Sequence, residues 1–351
     1  MDKLKKILKA REMTSFLCLV ALFLVVGVIN PSFLTVGNIL NCLNGAVVYT
    51  ILAAGIAFVI LVGEIDCSIG ATLCMCASVC CCMIRDGAPF VVGVLAALGV
   101  GALIGLFNGW GVAILKIPSL IFTVGVMGTV RGLVYVYTNC KWVENLPPYY
   151  TQIAQAKVGG LTGIYIFAIA LTIIAYILTT KTRQGQYFVA VGNNAGGADL
   201  VGIPAKKVKL IAYVLCGIFA AIAGIVYGTR VGFIQPSTGN GYEMTAIAAC
   251  VLGGLSLNGG VGSLLGSAIG AVIISSISRL LVFIGLSSDY NDAITGIILI
   301  AIVVFDAVNQ ANGEKKIRRA RLLARASVAE ENSCNVHIVV IVHEREVITV
   351  R

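Results

Sequence analysis

Long apolar runs recur along the chain from about residue 15 to residue 308, and short polar segments separate them. Runs of about 17 to 25 residues are long enough to cross a bilayer as helices, and marking them gives about ten segments. They lie at approximately 15–30, 46–63, 67–84, 89–109, 119–138, 161–180, 209–228, 243–258, 263–285 and 291–308. Membrane β-barrels use short alternating strands instead, so the pattern predicts an all-α polytopic membrane protein.

Glycine interrupts the apolar pattern in the regions 40–75 and 240–265, which predicts broken or re-entrant helices there. Two ladders of glycines at four-residue spacing also stand in the apolar part: Gly101, Gly105 and Gly109, and Gly262, Gly266 and Gly270. Such spacing lets two helix backbones approach closely, which predicts helix packing at both ladders. A second interpretation is that the ladders mark matching helices of two internally related halves.

Charge is scarce and unevenly placed: 12% of the residues are charged and 58% are hydrophobic. Soluble domains carry about 25% charge, so a soluble globular fold is excluded. Basic residues collect before residue 15, in the segment 181–209 and after residue 309. The positive-inside rule places all three in the cytoplasm, and six crossings followed by four satisfy it. We therefore expect a multi-pass protein of the plasma or inner membrane with both termini cytoplasmic.

The chain divides into a basic N-terminal tail at 1–14, a transmembrane domain at 15–309 and a C-terminal tail at 310–351. The C-terminal tail opens with "EKKIRRARLLARA", a basic and helix-prone stretch that suits the anionic inner leaflet of a membrane. "HIVVIVHEREVITV" follows and alternates like a strand. No function follows from the composition of this tail.

Twelve cysteines raise the question of a metal or redox site, and five of them lie in "CMCASVCCC": Cys74, Cys76, Cys80, Cys81 and Cys82. Successive helix residues are rotated by about 100°, so these thiols point around the whole helix and do not converge on one ion. Cysteine is also a small hydrophobe that packs well in apolar surroundings. The pattern therefore favours packing over a redox or metal role.

Motifs for enzyme chemistry are missing from the sequence. It contains no GxxxxGK[ST], so it carries no recognisable ATP-hydrolysing site of its own. It has neither GxSxG nor HExxH, and both histidines, His337 and His343, lie in the tail. We expect no catalytic residue, no metal and no cofactor in this chain.

Polar side chains within apolar segments are costly in lipid and tend to line a solute pathway. The candidate pathway residues are Asp66, Ser68, Asn108, Arg131, Asn139, Gln235 and Glu243, and Glu64, Arg230 and Asn240 belong to the same polar set. Amides and hydroxyls with a few charges suit a neutral polyhydroxylated solute better than a metal ion. For each residue, a helix cap or an interface hydrogen bond is the competing interpretation.

The inner connection at about 181–208 is the longest, and it reads "KTRQGQYFVAVGNNAGGADLVGIPAKKVK" with its flanks. It predicts a short helix along the membrane plane, capped by Asn193 or Asn194 and ended by Gly202. Such a helix suits docking to a partner protein, and a solvated linker is the alternative.

Four strings resemble the permease subunit of sugar-importing ABC transporters: "NPSFLTVGNILN", "GIAFVILVGEIDCSIGA", "TRQGQYFVAVGNNAGGADLVGI" and "GYEMTAIAACVLGGLSLNGGVGSLLGSAIGA". The resemblance is to the ribose, xylose and galactoside branch, which includes the autoinducer-2 permeases, and it runs from about 14 to 309. It implies a second permease copy or relative, a separate ABC ATPase subunit and an extracytoplasmic sugar-binding protein as partners. Membrane lipids surround such a subunit, and no nucleic acid is involved.

The resemblance also implies that the inner connection is the segment that docks on the ATPase. The matching positions are Gly192, Asn193, Asn194, Gly197, Asp199, Gly202 and Pro204. "GEIDCSIG" departs from a "GIDLSVG"-like family string at Glu64 and Cys67, and "NNAGGADLVGI" departs from an "NEAAARLSGI"-like one. Glu64 has no explanation at this level.

Three alternatives remain beside the sugar permease. An ion-coupled secondary transporter would use Asp66 or Glu64 to carry a proton or sodium. A branched-chain amino-acid ABC permease shares the general layout. A membrane enzyme or receptor is the third alternative, but this sequence lacks the motifs that it would need. Under the permease interpretation, Asp66 and Ser68 cap a glycine-flanked break between two helices beside the translocation path.

Overall fold

The computed structural model describes residues 11–285 and, beyond them, 287, 290–291, 293–298, 300–301 and 304. The predictions for the tail 310–351, for most of the tail 1–14 and for much of the segment 291–308 lie outside the described residues. The chain separates into two compact units, Met1–Leu299 and Ile300–Arg351. All the helices named below belong to the first unit.

The described chain is mostly helical. Its first half contains α1 (Arg11–Ile29), a 3-10 turn (Pro31–Leu34), α2 (Val36–Gly45), α3 (Val47–Leu61), α4 (Ile69–Arg85), α5 (Phe90–Gly109) and α6 (Ser119–Tyr137). Its second half contains α7 (Pro148–Gln152), the antiparallel pair β1 (Lys157–Val158) and β2 (Leu161–Thr162), α8 (Gly163–Lys181), α9 (Arg183–Asn193), α10 (Ala195–Leu200), α11 (Ala205–Val231), α12 (Tyr242–Leu252) and α13 (Leu264–Phe283). A π-helical turn continues α5 to Ile114.

The predicted count of about ten crossings is not confirmed. Among the described residues, five helices are long and apolar enough to span a membrane: Phe90–Ile114, Ser119–Tyr137, Gly163–Lys181, Ala205–Val231 and Leu264–Phe283. The pair α2 and α3, bent by 45°, makes a sixth if it is one span. The apolar helices at Ser15–Ile29, Ile69–Arg85 and Tyr242–Leu252 are shorter.

One reason for the lower count is a local break of the chain within apolar sequence, and much of the predicted segment 291–308 lies outside the described residues. The predicted segment 243–258 ends as a helix at Leu252, because Gly253 follows and Gly254 takes a left-handed φ of +88°. Only glycine adopts that conformation without strain, so the helix stops while the apolar run continues. Hydropathy alone does not register such a stop.

Helix α3 forms the centre of the bundle. Every residue from Val47 to Leu61 except Tyr49 is buried, and the helix packs against α8, α11, α12 and α13. A helix that is apolar all round belongs in such a position. In contrast, α5 and α6 are only 22% buried over their most apolar stretches, as expected of helices that face lipid. The break between α3 and α4 therefore lies inside the bundle.

The close packing predicted for the two glycine ladders is confirmed. A Cβ on Gly101 of α5 would lie 2.4 Å from the carbonyl oxygen of Gly217 in α11. A Cβ on Gly266 of α13 would lie 2.0 Å from the carbonyl oxygen of Gly253 at the end of α12. Gly262 lies in the loop before α13, where its φ is +139°. The ladders thus bring α5 onto α11 and α13 onto α12.

All five cysteines of "CMCASVCCC" are buried in the core that α4 forms with α5, α11 and Tyr150 of α7. The Cys81 Sγ lies 3.6 Å from the Tyr150 hydroxyl, which donates to the carbonyl oxygen of Ile225 at 3.0 Å. Within the part of the chain that the structure describes, no three His, Cys, Asp or Glu residues are placed to hold a metal. The burial of the five cysteines among apolar side chains agrees with the packing interpretation.

Candidate functional site

The break between α3 and α4 spans residues 62–68 and opens where Gly63 takes a φ of +77°. Asp66 is only 2% exposed, and its Oδ1 accepts hydrogen bonds from the Ser68 backbone N–H at 2.8 Å and the Ser68 hydroxyl at 2.7 Å. This Asx turn directs the chain into α4. Ser68 stands at the N-cap position, but its side chain makes no capping bond to α4; the hydroxyl donates to Asp66 and accepts from the Asn108 amide instead.

Asn108 of α5 completes a buried polar group with these two residues, which we call the Asp66 cluster (Asp66, Ser68 and Asn108). Its Nδ2 donates to the Ser68 hydroxyl at 2.7 Å and lies 3.4 and 3.5 Å from the two Asp66 carboxylate oxygens. Asn108 is fully buried, and its Oδ1 has no hydrogen-bond partner among the described residues. Neutral donors satisfy the carboxylate, and neither ion pair of the described chain involves it.

Side chains from α6 and α11 hold the backbone of the break. Ser119 accepts from the Ile65 N–H at 3.3 Å, and Thr123 accepts from the Cys67 N–H at 3.1 Å. The Tyr213 hydroxyl of α11 donates to the Ile65 carbonyl at 3.1 Å. Buried backbone groups need such partners, so these contacts fix the shape of the irregular segment.

Glu64, which the sequence left unexplained, forms an ion pair with Lys209 of α11. The two side chains are 15% and 22% exposed, so they lie at the rim of the bundle. They border a cavity of about 370 Å³ that Lys116, Lys206 and Asp199 also line. The pair joins the break to the beginning of α11.

The predicted short helix in the inner connection is present as α10. The Asn194 Oδ1 accepts from the Gly197 N–H at 2.9 Å, so Asn194 rather than Asn193 caps it. The N–H of Ile203 bonds to the carbonyl of Ala198 at 3.0 Å, and Gly202 takes a φ of +84°. This is the Schellman arrangement in which glycine ends a helix, as predicted for Gly202.

Helix α10 is tied to α11 and presents an apolar tip. The Asp199 Oδ1 accepts from the Ala205 N–H at 3.0 Å, which caps the first turn of α11 just after Pro204. Leu200 and Val201 are 90% and 77% exposed at the end of α10. Together they form a small exposed apolar surface, and contiguous apolar surfaces can mark sites of protein interaction.

A second contact joins this region to the break, and we call it the glycine junction (Gly63, Gly192, Gly259 and Gly260). A Cβ on Gly192 of α9 would lie 1.9 Å from the carbonyl oxygen of Leu61. That oxygen accepts a hydrogen bond from the Gly260 N–H at 2.9 Å. A Cβ on Gly259 would lie 2.6 Å from the Gly63 nitrogen. The ends of α3 and α9 and the loop 253–263 therefore meet backbone to backbone.

Asn193, another of the residues that the resemblance assigns to ATPase docking, also lies at this junction. A Cβ on Gly260 would lie 2.3 Å from the Asn193 Oδ1, so this side chain lies directly against the loop 253–263. Asn193 therefore contributes to the junction, and Asn194 contributes to α10.

The loop 232–241 enters the bundle beside α4. Arg131 of α6 donates through Nη1 to the carbonyls of Pro236 at 3.0 Å and Thr238 at 2.6 Å, so it anchors this loop. The Gln235 N–H donates to the Thr238 hydroxyl at 3.0 Å within the same loop. Arg131 and Gln235 thus hold the loop in place beside the start of α4.

Glu243 stands in the first turn of α12, where a negative charge is favourable at a helix N-terminus. Its Oε1 accepts from the Gly241 N–H at 3.2 Å, and its buried Oε2 has no hydrogen-bond partner in the described part of the chain. A Cβ on Gly70 would lie 2.5 Å from that oxygen, so Glu243 covers the start of α4.

Two members of the predicted polar set lie elsewhere. Asn139 is exposed in the turn after α6, with a φ of +51°, and does not join the Asp66 cluster. Arg230 donates to the Gly45 carbonyl at 3.0 Å and lines a separate cavity of about 400 Å³ with Arg279 and Lys157. The seven predicted pathway residues therefore divide among the Asp66 cluster, the loop 232–241 with α12, and an exposed turn.

Sequence reasoning missed Thr123 and Tyr213, which bind the break, and the pairing of Lys209 with Glu64. A threonine and a tyrosine inside apolar helices carry no sequence signal of their own. Lys209 entered only as one of several charges that fix orientation.

Comparison with known proteins supplies the family. The family described as "branched-chain amino acid transport system / permease component" matches residues 38–303. The autoinducer 2 import system permease protein LsrC of Salmonella typhi is 37% identical, covering 91% of this chain and 92% of the relative. LsrC of Escherichia coli (strain K12 / DH10B) and of Shigella flexneri are each also 37% identical, covering 91% of this chain and 93% of the relative. No solved structure matches the chain.

These relatives are membrane permease subunits, and the matched region contains the break, the inner connection and the glycine junction. The resemblance that the four sequence strings carry is confirmed. The chain belongs to the branched-chain amino acid transport system / permease component family, and it is the membrane permease subunit of an ABC importer.

Proposed function

We propose that the chain forms the translocation pathway for a neutral, sugar-like solute, with autoinducer 2 as the first candidate. The observation that carries this proposal is the 37% identity to autoinducer 2 import permeases over 91% of the chain. The Asp66 cluster supports it, because its carboxylate is buried and satisfied by neutral donors. A carboxylate that relays ions needs access to them, whereas Asp66 is 2% exposed.

The orientation follows from the basic residues at one end of the bundle. Lys181 ends α8, Arg183 begins α9, and Lys206 and Lys209 lie in the first turns of α11. Lys116 lines the same cavity as the last two. The positive-inside rule makes this end cytoplasmic, and both termini lie on the same side under the six-plus-four crossings that the sequence predicts.

Coupling to the ATPase runs through α10 in this proposal. The exposed tip at Leu200 and Val201 docks on the ATPase subunit, and Gly197 and Gly202 keep its ends compact. Movement of α10 reaches the break along two routes. One runs from Asp199 through α11 to the ion pair of Lys209 with Glu64, and the other runs through Gly192 to the end of α3.

The opposite end of the bundle is the entry side. The cavity lined by Asn41, Asn44, Arg230 and Arg279 lies at the far end of α11 from the lysines. An extracytoplasmic binding protein delivers solute to this side, and a second permease copy or relative completes the pathway. The polar lining suits a hydroxylated solute that leaves water in steps.

The deciding experiment reconstitutes the permease with its ATPase and binding protein in liposomes and follows labelled autoinducer 2, ribose and leucine. We expect uptake of autoinducer 2 that needs ATP on the ATPase side and persists with an uncoupler. Uptake of leucine alone would instead support a branched-chain amino acid permease, the function that the family description names. Uptake without ATP that an uncoupler abolishes would contradict the ABC mechanism.

A further inference from the structure

Helices α8, α9 and α11 leave a groove of about 480 Å³ on the surface of the bundle. Its walls are apolar over most of their length, with Leu171, Ile174 and Leu178 from α8 and Ile211 and Leu215 from α11. Phe58 of α3 also lines it, and this side chain is only 3% exposed. The groove is therefore a cleft that reaches the central helix.

The groove lies within the part of the bundle that faces lipid. Helices α8 and α11 are both long and apolar enough to span the membrane. Ile174 and Leu178 are 55% and 51% exposed on the groove wall. Leu171 lies ten residues before Lys181, which is about 15 Å along a helix. The cleft thus extends from the basic end toward the middle of the membrane.

Polar lining residues collect at one end of the groove only. Thr182, Gln184 and Lys207 lie there, next to the end of α8. Lys207 has no ion pair among the described residues, whereas Lys209 is neutralised by Glu64. Lys206, the residue before Lys207, lines the cavity beside Glu64 together with Asp199. One lysine is therefore available to an anion at the mouth of the apolar cleft.

We propose that this groove binds an anionic phospholipid of the cytoplasmic leaflet, with an acyl chain in the cleft and the phosphate at Lys207. The inference rests on the orientation proposed above, which puts Lys207 at the depth of the inner headgroups. Basic pockets between membrane helices on the cytoplasmic side are suited to such headgroups. A soluble partner docking on α10 does not reach Leu171. The cleft has its polar residues at one end and apolar residues along the rest, as a lipid has.

The test uses the purified full-length chain in a neutral detergent, with phosphatidylglycerol and phosphatidylcholine of identical acyl chains in equal amounts. Native mass spectrometry counts the lipids retained on the protein. We expect preferential retention of phosphatidylglycerol. Lys207→Gln lowers that preference by about fivefold, because one lysine near an anionic headgroup contributes about that much. Lys206→Gln is the matched control and leaves the preference unchanged.

A second variant tests the cleft itself. Leu178→Trp fills the groove from a half-exposed position and removes retention of both lipids, and Ile174→Phe does the same if the tryptophan variant elutes as aggregate. Equal retention of the two lipids by the unsubstituted chain overturns the proposal, as does unchanged retention in the filled variants. If the unsubstituted chain retains no lipid but forms a dimer, and the filled variants do not form that dimer, then the groove binds a second copy of the chain instead. The readout is independent of solute uptake, so its failure leaves the proposed transport function standing.

Discussion

Glu64 and Asp66 lie two residues apart in the same break, yet their carboxylates have different kinds of partner. Glu64 is partly exposed and pairs with the cation Lys209 beside a cavity. Asp66 is 2% exposed and is satisfied by the neutral groups of Ser68 and Asn108. The first carboxylate connects the break to a neighbouring helix, whereas the second determines the internal shape of the break.

This difference determines what each residue costs to replace. Water can solvate Glu64 when Lys209 is removed, because both groups are near the rim. The partners of Asp66 have no such substitute, because Ser68 and Asn108 are both fully buried. An unsatisfied buried polar group costs about 1–3 kcal/mol. Asp66 is therefore the more sensitive of the two positions.

The largest effect is expected for Asp66→Ala. It removes the acceptor of two hydrogen bonds and leaves the Ser68 hydroxyl and the Asn108 amide without their carboxylate. We expect a loss of about 3 kcal/mol in the free energy of unfolding together with loss of uptake. Thermal melts of the purified permease and liposome uptake measure the two effects.

Asp66→Asn is the matched control, because it keeps an oxygen acceptor at the same place. We expect it to retain most of the stability and to introduce no dependence of uptake on protons or sodium. If the alanine variant melts and transports like the unsubstituted protein, then the Asp66 cluster does not shape the break.

The next effect tests whether the end of α3, where the break begins, moves with the inner connection through the glycine junction. Gly192→Val adds a Cβ that would lie 1.9 Å from the Leu61 carbonyl oxygen, so α9 must shift away from α3. Overpacking of this kind costs about 1–3 kcal/mol. We expect ATP hydrolysis to continue while uptake per ATP falls about tenfold, the change that about 1.4 kcal/mol produces.

The control for this prediction is Gly99→Val in α5. A Cβ on Gly99 meets no atom within 4 Å, so the side chain fits without moving the helix. A Gly192 variant whose uptake per ATP equals that of the Gly99 variant would show that the glycine junction does not transmit movement.

A smaller effect is expected from the ion pair itself. Glu64→Gln and Lys209→Met each remove one charge from the pair, and the double variant completes a mutant cycle. We expect a coupling energy of about 1 kcal/mol in thermal stability, because the pair is partly exposed to solvent. A coupling energy near zero, with additive single effects, would mean that Lys209 does not anchor the break.

The smallest effect is expected for Lys116→Gln. Lys116 lines the same cavity as Glu64 but forms no ion pair in the described part of the chain. We expect a change within about 0.5 kcal/mol, which is usual for surface substitutions. A loss as large as that of Lys209→Met would show that the cavity charges act together rather than as one specific pair.

Local features of the fold were predictable from the sequence. The cap at Asn194 and the end at Gly202 depend on residues within a few positions, so the short helix α10 followed from its own segment. The ladder glycines were likewise identified by their spacing, although their partner helices were not. The count of about ten spans is not confirmed, since α12 ends at Leu252 inside an apolar run and much of the last predicted segment lies outside the described residues.

The candidate site shows the same division. Asp66 and Ser68 are two residues apart in sequence, and their position at a helix break was expected from the string "GEIDCSIG". Asn139 was grouped with them on polarity alone, and it lies in an exposed turn instead. Polarity identifies residues that need an explanation, but it does not say which of them meet.

The sequence by itself determined the membrane class, the permease family and the short helix α10, because hydropathy, motif order and capping are written in consecutive residues. The tertiary structure alone decided that Asn108 reaches Ser68 across 40 positions and that Lys209 reaches Glu64 across 145. These contacts depend on how α5 and α11 cross, and the crossing is fixed by close backbone approach at glycines such as Gly101. The periodicity of one segment does not indicate which distant segment packs against it. The different partners of Glu64 and Asp66 are therefore seen only in the folded chain.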